Sequence, residues 1–265
     1  MWAWRDVGSR LALHEFVMST GIWAAASGAV GQTAALDTAA QNIANAATPG
    51  YKADEAVFRQ TLVKAVGGKA ANVATSSTRY AISRTTVPDF RAGGIVQTTR
   101  PLDVAIPDDK SFFAISTPQG DRYTRAGSFR LAVDGTLTTP DGHPVIATNH
   151  RPVKVDPQAH NVSIDREGTM VVDGVQGARI ARVTFANLNG LERTGEVSFK
   201  ARPEAGQPLR SDVQLETSAI EQSNANAVTG MTSMVNTSRN FEMISKVIEA
   251  FGQIDKRAAN DIMGK

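Results

Sequence analysis

Residues 21–52, GIWAAASGAVGQTAALDTAAQNIANAATPGYK, decide the fold. Within them Ile22, Ala26, Ala29, Thr33, Leu36, Ala40, Ile43 and Ala47 recur in alternating steps of four and three. Such a heptad-like stripe predicts a helix with one packing seam. Pro49-Gly50 stops it, because the residue before a proline is pushed out of the helical region and glycine tolerates the non-helical backbone after it. The far end repeats the pattern. In residues 239–254, RNFEMISKVIEAFGQI, Phe241, Ile244, Ile248 and Phe251 alternate by three and four; Ala258 and Ile262 continue the series, with only Asp255 out of place.

Between the helices the period changes. Short runs rich in β-branched residues appear, such as Leu102–Ile106, Phe112–Ile115 and Arg179–Phe185, punctuated by Asp134-Gly135, Asp141-Gly142 and Asp173-Gly174. Asp-Gly pairs favour tight hairpin turns because glycine readily takes positive φ. This zone reads as an antiparallel β domain that should fold without either terminus. Isolated helices are marginal and draw most of their stability from packing, so each seam needs a partner, and the nearest one is the other terminus. The expected fold class is α+β, with the N- and C-terminal helices paired as a coiled-coil-like stalk around a central, mostly antiparallel β domain. Expected boundaries are 18–50 and 217–265 for the helical assembly domain, 51–78 for a linker and 79–216 for the β domain. The first helix is dominated by Ala, Gly, Ser and Thr, which let helices approach closely. Two readings stay open: a stalk packed on its own β domain, or a member of a crowded multi-helix assembly.

Composition excludes several function classes. The 265-residue chain has no cysteine, which removes disulfides, thiolate catalysis and Cys-type metal sites together. Its 28 basic and 26 acidic residues alternate along the chain instead of forming the clustered basic footprint that nucleic-acid binding needs. His14, His143, His150 and His160 are not at metal-ligand spacing, Gly67-Gly68-Lys69 lacks the flanking residues of a phosphate loop, and Ser128 lacks the second glycine of a nucleophile elbow. No catalytic residue, cofactor, metal, nucleic acid or small-molecule substrate is expected. A carbohydrate-active enzyme would need paired acids in a cleft. A monomeric β-domain binding protein would keep both helices folded in dilute solution. The start lacks the uninterrupted apolar run of about 7–15 residues of a secretory signal, since Asp6, Arg10, His14 and Glu15 interrupt it.

The motifs add specificity. Asn42-Ile-Ala-Asn45-Ala-Ala-Thr48-Pro-Gly50-Tyr-Lys52 resembles the signature of flagellar rod and hook proteins. Asn42 and Asn45 sit three apart on one helical face, where their amides can bond neighbouring helix ends or carbonyls. The resemblance continues through Pro101–Ile106, Phe112-Phe113, Arg122–Phe129, Asp134–Leu137 and Asp141-Gly142, and ends with Leu215–Asn224 and Arg239–Met243. Asp108-Asp109-Lys110 departs from it, standing where the family often has a Gly-containing turn.

The resemblance implies a structural rod subunit with no catalytic activity, exported through the flagellar type III apparatus without a cleavable signal peptide. It would self-assemble with other rod proteins to form part of the drive shaft crossing the periplasm. The short stretch between Lys52 and Gly93, and Phe241 where distal subunits usually have Tyr, point to the proximal rod; the distal rod is the alternative. Ile22, Leu36, Asn42, Ile43, Asn45, Phe241, Ile244, Ile248 and Phe251 become the expected assembly interface. Phe58-Arg-Gln-Thr-Leu62 is similar to the element that early export substrates present to the export gate; an apolar pair filling the core is the competing reading. Met18-Ser-Thr-Gly-Ile22 resembles the family's usual start, which would make residues 1–17 a non-native extension.

Overall fold

The computed structural model describes residues 5–64 and 78–263, with side chains described for Ile22, for residues 24–57 and 86–254, and for a few positions beyond. The α+β class is the observed one. Helix α1 runs Arg5–Ala44 and α2 runs Ala227–Met263, flanking antiparallel sheets. Helix α1 passes through Met18 without a break.

The chain divides into two compact units. One holds residues 1–40, 56–86 and 229–265 and contains the paired helices; the other holds residues 41–55 and 87–228. In the helical unit, Ile244 reaches within 3.6 Å of where a Cβ on Gly28 would stand. The α1 seam is displaced from the expected stripe. Thr33 and Ala40 are exposed, whereas Gly31 and Ala39 are buried. The smallest side chains, rather than the regular apolar steps, mark where α1 is most closely packed. The expected linker also differs. Strands Asp54–Lys64 and Thr78–Pro88 form a two-stranded sheet there, and all but the ends of both belong with the helices. The run Ala56-Val57-Phe58 followed by Leu62-Val63 has β-forming side chains and no proline, which a flexible linker would not need.

The other unit is built on a six-stranded antiparallel sheet in the order Leu191–Arg193, Ser198–Ala201, Gly120–Thr124, Ser111–Thr117, Arg182–Thr184, Leu209–Arg210. Successive strand residues face opposite sides. The consecutive Phe112 and Phe113 therefore serve two different cores. Phe113 and Ile115 pack with Val104, Phe129, Leu137 and Ile180, whereas Phe112 and Ala114 pack with Phe90, Tyr123, Phe185 and Phe199. The second core is aromatic, with Phe90 edge-on to Phe112 at 5.4 Å and Tyr123 to Phe185 at 4.8 Å between ring centroids. Asp173 at φ 49° and Gly174 at φ 85° turn the hairpin between Thr169–Val172 and Val175–Arg179, as the Asp-Gly pair predicts.

Candidate functional site

The signature segment ends α1 and immediately enters the β domain. Asn45 Nδ2 donates to Gln41 O at 3.0 Å and its Oδ1 accepts from Thr48 Oγ1 at 3.1 Å, closing the last turn. Gly50 comes next at φ 71°. A side chain is excluded there, since a Cβ would lie 2.3 Å from the Ala126 nitrogen. Asn42 then reaches across the reversal. Its Nδ2 donates to Asp54 O at 2.8 Å, while its Oδ1 accepts from Asp54 N at 2.9 Å and Tyr51 Oη at 3.1 Å. Both amides, expected at an interface, thus bond within their own chain.

Beyond Gly50 the segment carries buried charge. Lys52 Nζ lies 2.6 Å from Glu221 Oε1, and neither side chain has any solvent exposure. Glu221 Oε2 accepts from Arg125 Nε at 2.9 Å, and Arg125 is fully buried as well. Glu221 Oε1 also accepts from Gly93 N at 2.9 Å, and Lys52 Nζ donates to Arg91 O at 2.7 Å. The Arg125 guanidinium reaches the carbonyls of Ser111, Ile106 and Asp108. The Asp108 turn, where the sequence departs from the resembled pattern, therefore contacts this cluster of buried charges around Glu221, which acts as a clamp. Burial pulls the Lys52 ammonium below its ordinary range, opposed by the Glu221 carboxylate.

A second pair sits alongside. Arg193 donates to both carboxylate oxygens of Asp54, at 2.9 and 3.0 Å, and its guanidinium stacks between the rings of Tyr51 and Phe199 at 4.7 and 5.0 Å. Burial raises the Tyr51 phenol above its usual value, opposed by Arg193. Asn224 completes the set, accepting from Ala53 N at 2.6 Å and donating to the carbonyls of Asp89 and Arg91. The segment that leaves α1 and the segment that precedes α2 are thereby fastened to the same place on the β domain. Chemically the cluster can hold and orient. The side-chain nitrogen of Lys52 and both carboxylate oxygens of Glu221 are occupied by protein, and the described residues contain no group of metal-ligating side chains.

Sequence reasoning found Asn42, Asn45, Tyr51 and Lys52 as a motif but missed their partners Asp54, Arg125, Arg193 and Glu221. Only contact geometry links Lys52 to a residue 169 positions away. Of the expected interface, Ile22, Leu36, Ile43, Phe241, Ile244, Ile248 and Phe251 are all half-buried. Phe58 and Leu62 fall on the strand Asp54–Lys64, and their side chains lie outside the described residues.

This arrangement belongs to a recognisable class. Residues 22–52 match the family described as "Flagella basal body rod protein", residues 106–172 "Flagellar hook protein FlgE/F/G D1 domain", and residues 216–261 "Flagellar basal body rod FlgEFG protein C-terminal". The chain is 31% identical over 244 residues to the flagellar basal-body rod protein FlgG of Bacillus subtilis (strain 168), covering 85% of this chain and 92% of that relative. It is 29% identical to FlgF of Rhizobium meliloti (strain 1021), over 90% of this chain and 96% of the relative. To FlgF of Salmonella typhimurium it is 30% identical, over 83% and 88%. The chain belongs to the flagellar basal-body rod protein family, the FlgE/F/G group, and is a structural basal-body component rather than an enzyme.

Proposed function

We propose that this chain is a proximal-rod subunit of the FlgF type, which polymerises through its terminal helices into part of the drive shaft carrying torque from motor to hook. The observation that carries the polymerisation reading is on α2. Phe241, Ile244, Ile248 and Phe251 are half-buried, yet Met243, Val247 and Ile254 on a neighbouring face are 59%, 47% and 48% exposed. Ala250 lies exposed between them, so the row repeats by four, three and four. Apolar rows of this kind mark interaction surfaces. Complementary surfaces joined head to tail without closing generate helical filaments. Residues Ile22, Leu36 and Ile43 on α1 serve the same packed tube, and Asn42 and Asn45 serve it indirectly by fixing how α1 ends.

The proximal reading rests on the short stretch from Lys52 to Gly93 and on Phe241. The distal reading, FlgG, is favoured by the 31% identity to the Bacillus subtilis relative. Its partners in either case are other rod proteins and the type III export apparatus, with Phe58 and Leu62 offered to the export gate before the chain folds. Rod passage through the periplasm gives the location. Electron microscopy of purified basal bodies, with a label inserted at the exposed Asp173-Gly174 turn, tests the assignment. Density at the motor-proximal end of the rod is expected; label at the hook end selects the distal reading, and label absent from rods sinks both.

A further inference from the structure

We propose that the Lys52–Glu221–Arg125 cluster is a folding checkpoint, which keeps the β domain unlocked until both of its terminal segments have arrived. This goes beyond the rod assignment and does not depend on which rod position the chain occupies. Arg125 comes directly after the strand Gly120–Thr124 at the centre of the sheet, and its guanidinium bonds the carbonyls of Ile106, Asp108 and Ser111 around the neighbouring strand. It is therefore seated by the sheet itself. Among the described residues its one fully buried counter-charge is Glu221, 96 positions further along; the Asp108 carboxylate stands 3.6 Å away and is 30% exposed. Lys52 depends on the same carboxylate from the other side. Two buried cations thus share a single buried anion, delivered by the strand Ala219–Glu221, which pairs with Ile95–Gln97.

The consequence lies in where these residues stand along the chain. Taking one partner from a buried ion pair leaves an uncompensated charge, whose cost far exceeds the net worth of the intact pair. Without residues 219–221 the sheet would have to close over Lys52 and Arg125 together with no carboxylate between them. Chains are made from the N-terminus, so both cations emerge long before Glu221. Closing early is penalised, and closure waits for almost the whole chain. The arriving segment also docks on the backbone of Gly50, through a hydrogen bond, and of Gly93, where a side chain would block it. Gly50 N donates to Glu221 O at 2.8 Å, and a Cβ on Gly93 would meet Gln222 O at 1.9 Å. The chain can then be handled as an open polymer until its last segment is available.

Hydrogen exchange on the full chain, read by mass spectrometry, tests this. In Glu221→Gln, which keeps the shape but not the charge, protection should fall by about 100- to 1000-fold, the scale of a broken buried ion pair, across the strands Ser111–Thr117, Gly120–Thr124 and Ser198–Ala201. Loss confined to the Ala219–Glu221 and Ile95–Gln97 ladder, or none, overturns the proposal. Adding Lys52→Met to Glu221→Gln removes one stranded cation and should recover about tenfold or more of the lost protection; no recovery shows that charge is not the cause. Should these variants not fold, pulse-labelled refolding of the unaltered chain decides alone. Ser111–Thr117 and Ala219–Glu221 must gain protection together. A sheet protected before residue 221 docks has no checkpoint.

Discussion

The β domain and the terminal helices break the usual rule of burial in opposite directions. The β domain hides a lysine, a glutamate and an arginine from all solvent, while α2 holds Met231, Met234, Val235, Met243, Val247 and Ile254 in the open. Buried charges are stable only with their partners in place, so the clamp admits one arrangement. An exposed apolar face has no such geometric demand and leaves its burial for a partner. Conformation is specified in one region and, on the proposed function, association is stored in the other. The signature motif, placed at the junction in sequence, turns out to serve the first of these tasks.

The largest effect should come from separating the regions in the wrong place. A fragment of residues 79–216 keeps the six-stranded sheet but lacks Tyr51, Lys52, the strand Ala219–Glu221 and Asn224, and leaves Arg125 without its buried carboxylate. Circular dichroism should show no cooperative transition, whereas residues 41–228 should melt as a β domain. The sequence alone points to the opposite expectation for 79–216, since its turns and apolar runs are self-contained. A sharp melt of the shorter fragment would mean that the clamp is dispensable.

Next in size is Ile248→Glu. Its side chain lies half-buried on α2, within the helical unit and outside both cores of the β domain. The melting of the β domain should stay within about 0.5 kcal/mol, as for a substitution remote from the core. In the packed tube an unpaired charge costs several kcal/mol, of order 2 or more. Cells carrying the variant should export the protein and build no rod. Normal swimming, or a destabilised β domain, would erase the contrast between the regions.

Smaller again is the pair Met243→Ser and Val247→Ser on the exposed row. With 59% and 47% of their surface already in water, these changes should leave the free subunit within about 0.5 kcal/mol of the parent. Rod length and number, counted in micrographs, should drop. Rods of normal length and number would assign the half-buried seam, not this row, to subunit contacts.

How far the sequence is legible tracks the same division. The helices and the β zone can be read because each repeats a local period, and Asp173-Gly174 can be read because its turn chemistry is confined to adjacent residues. The α1 seam is misplaced by a residue or two, because glycine and alanine carry little apolar contrast and close approach, at Gly28 against Ile244, is not a hydropathy signal. The clamp cannot be assembled from sequence at all. Lys52, Arg125 and Glu221 each sit beside ordinary turn or strand residues, and a charge in a sequence gives no sign of being buried until the chain is folded around it. Strand Asp54–Lys64 passes for a linker for a related reason: its partner Thr78–Pro88 lies beyond a long intervening stretch, so no short turn announces a hairpin.

The smallest expected effect isolates the motif from the helix it ends. Tyr51 has no exposed surface, and its hydroxyl donates to Asn42 Oδ1 at 3.1 Å. Burial holds the phenol above its ordinary value of 10.0, with Arg193 pulling the other way and Asp54 adding to the rise. In the unfolded chain the phenol ionises near 10, so above that pH the unfolded state has released a proton that the folded state retains. The folded state binds more protons, and stability must fall as pH rises through this window. Tyr51→Phe loses the Asn42 bond, a cost of about 0.5–1.5 kcal/mol at neutral pH, but has no proton to retain. The gap between parent and variant should therefore be widest near neutrality and close as pH climbs past 10, while groups common to both chains cancel in the comparison. Denaturant midpoints of the β transition at pH 7, 9, 10 and 11 measure it. Were the gap constant across that range, Tyr51 would be open to solvent, and the segment after α1 would belong to the helical ends rather than to the clamp.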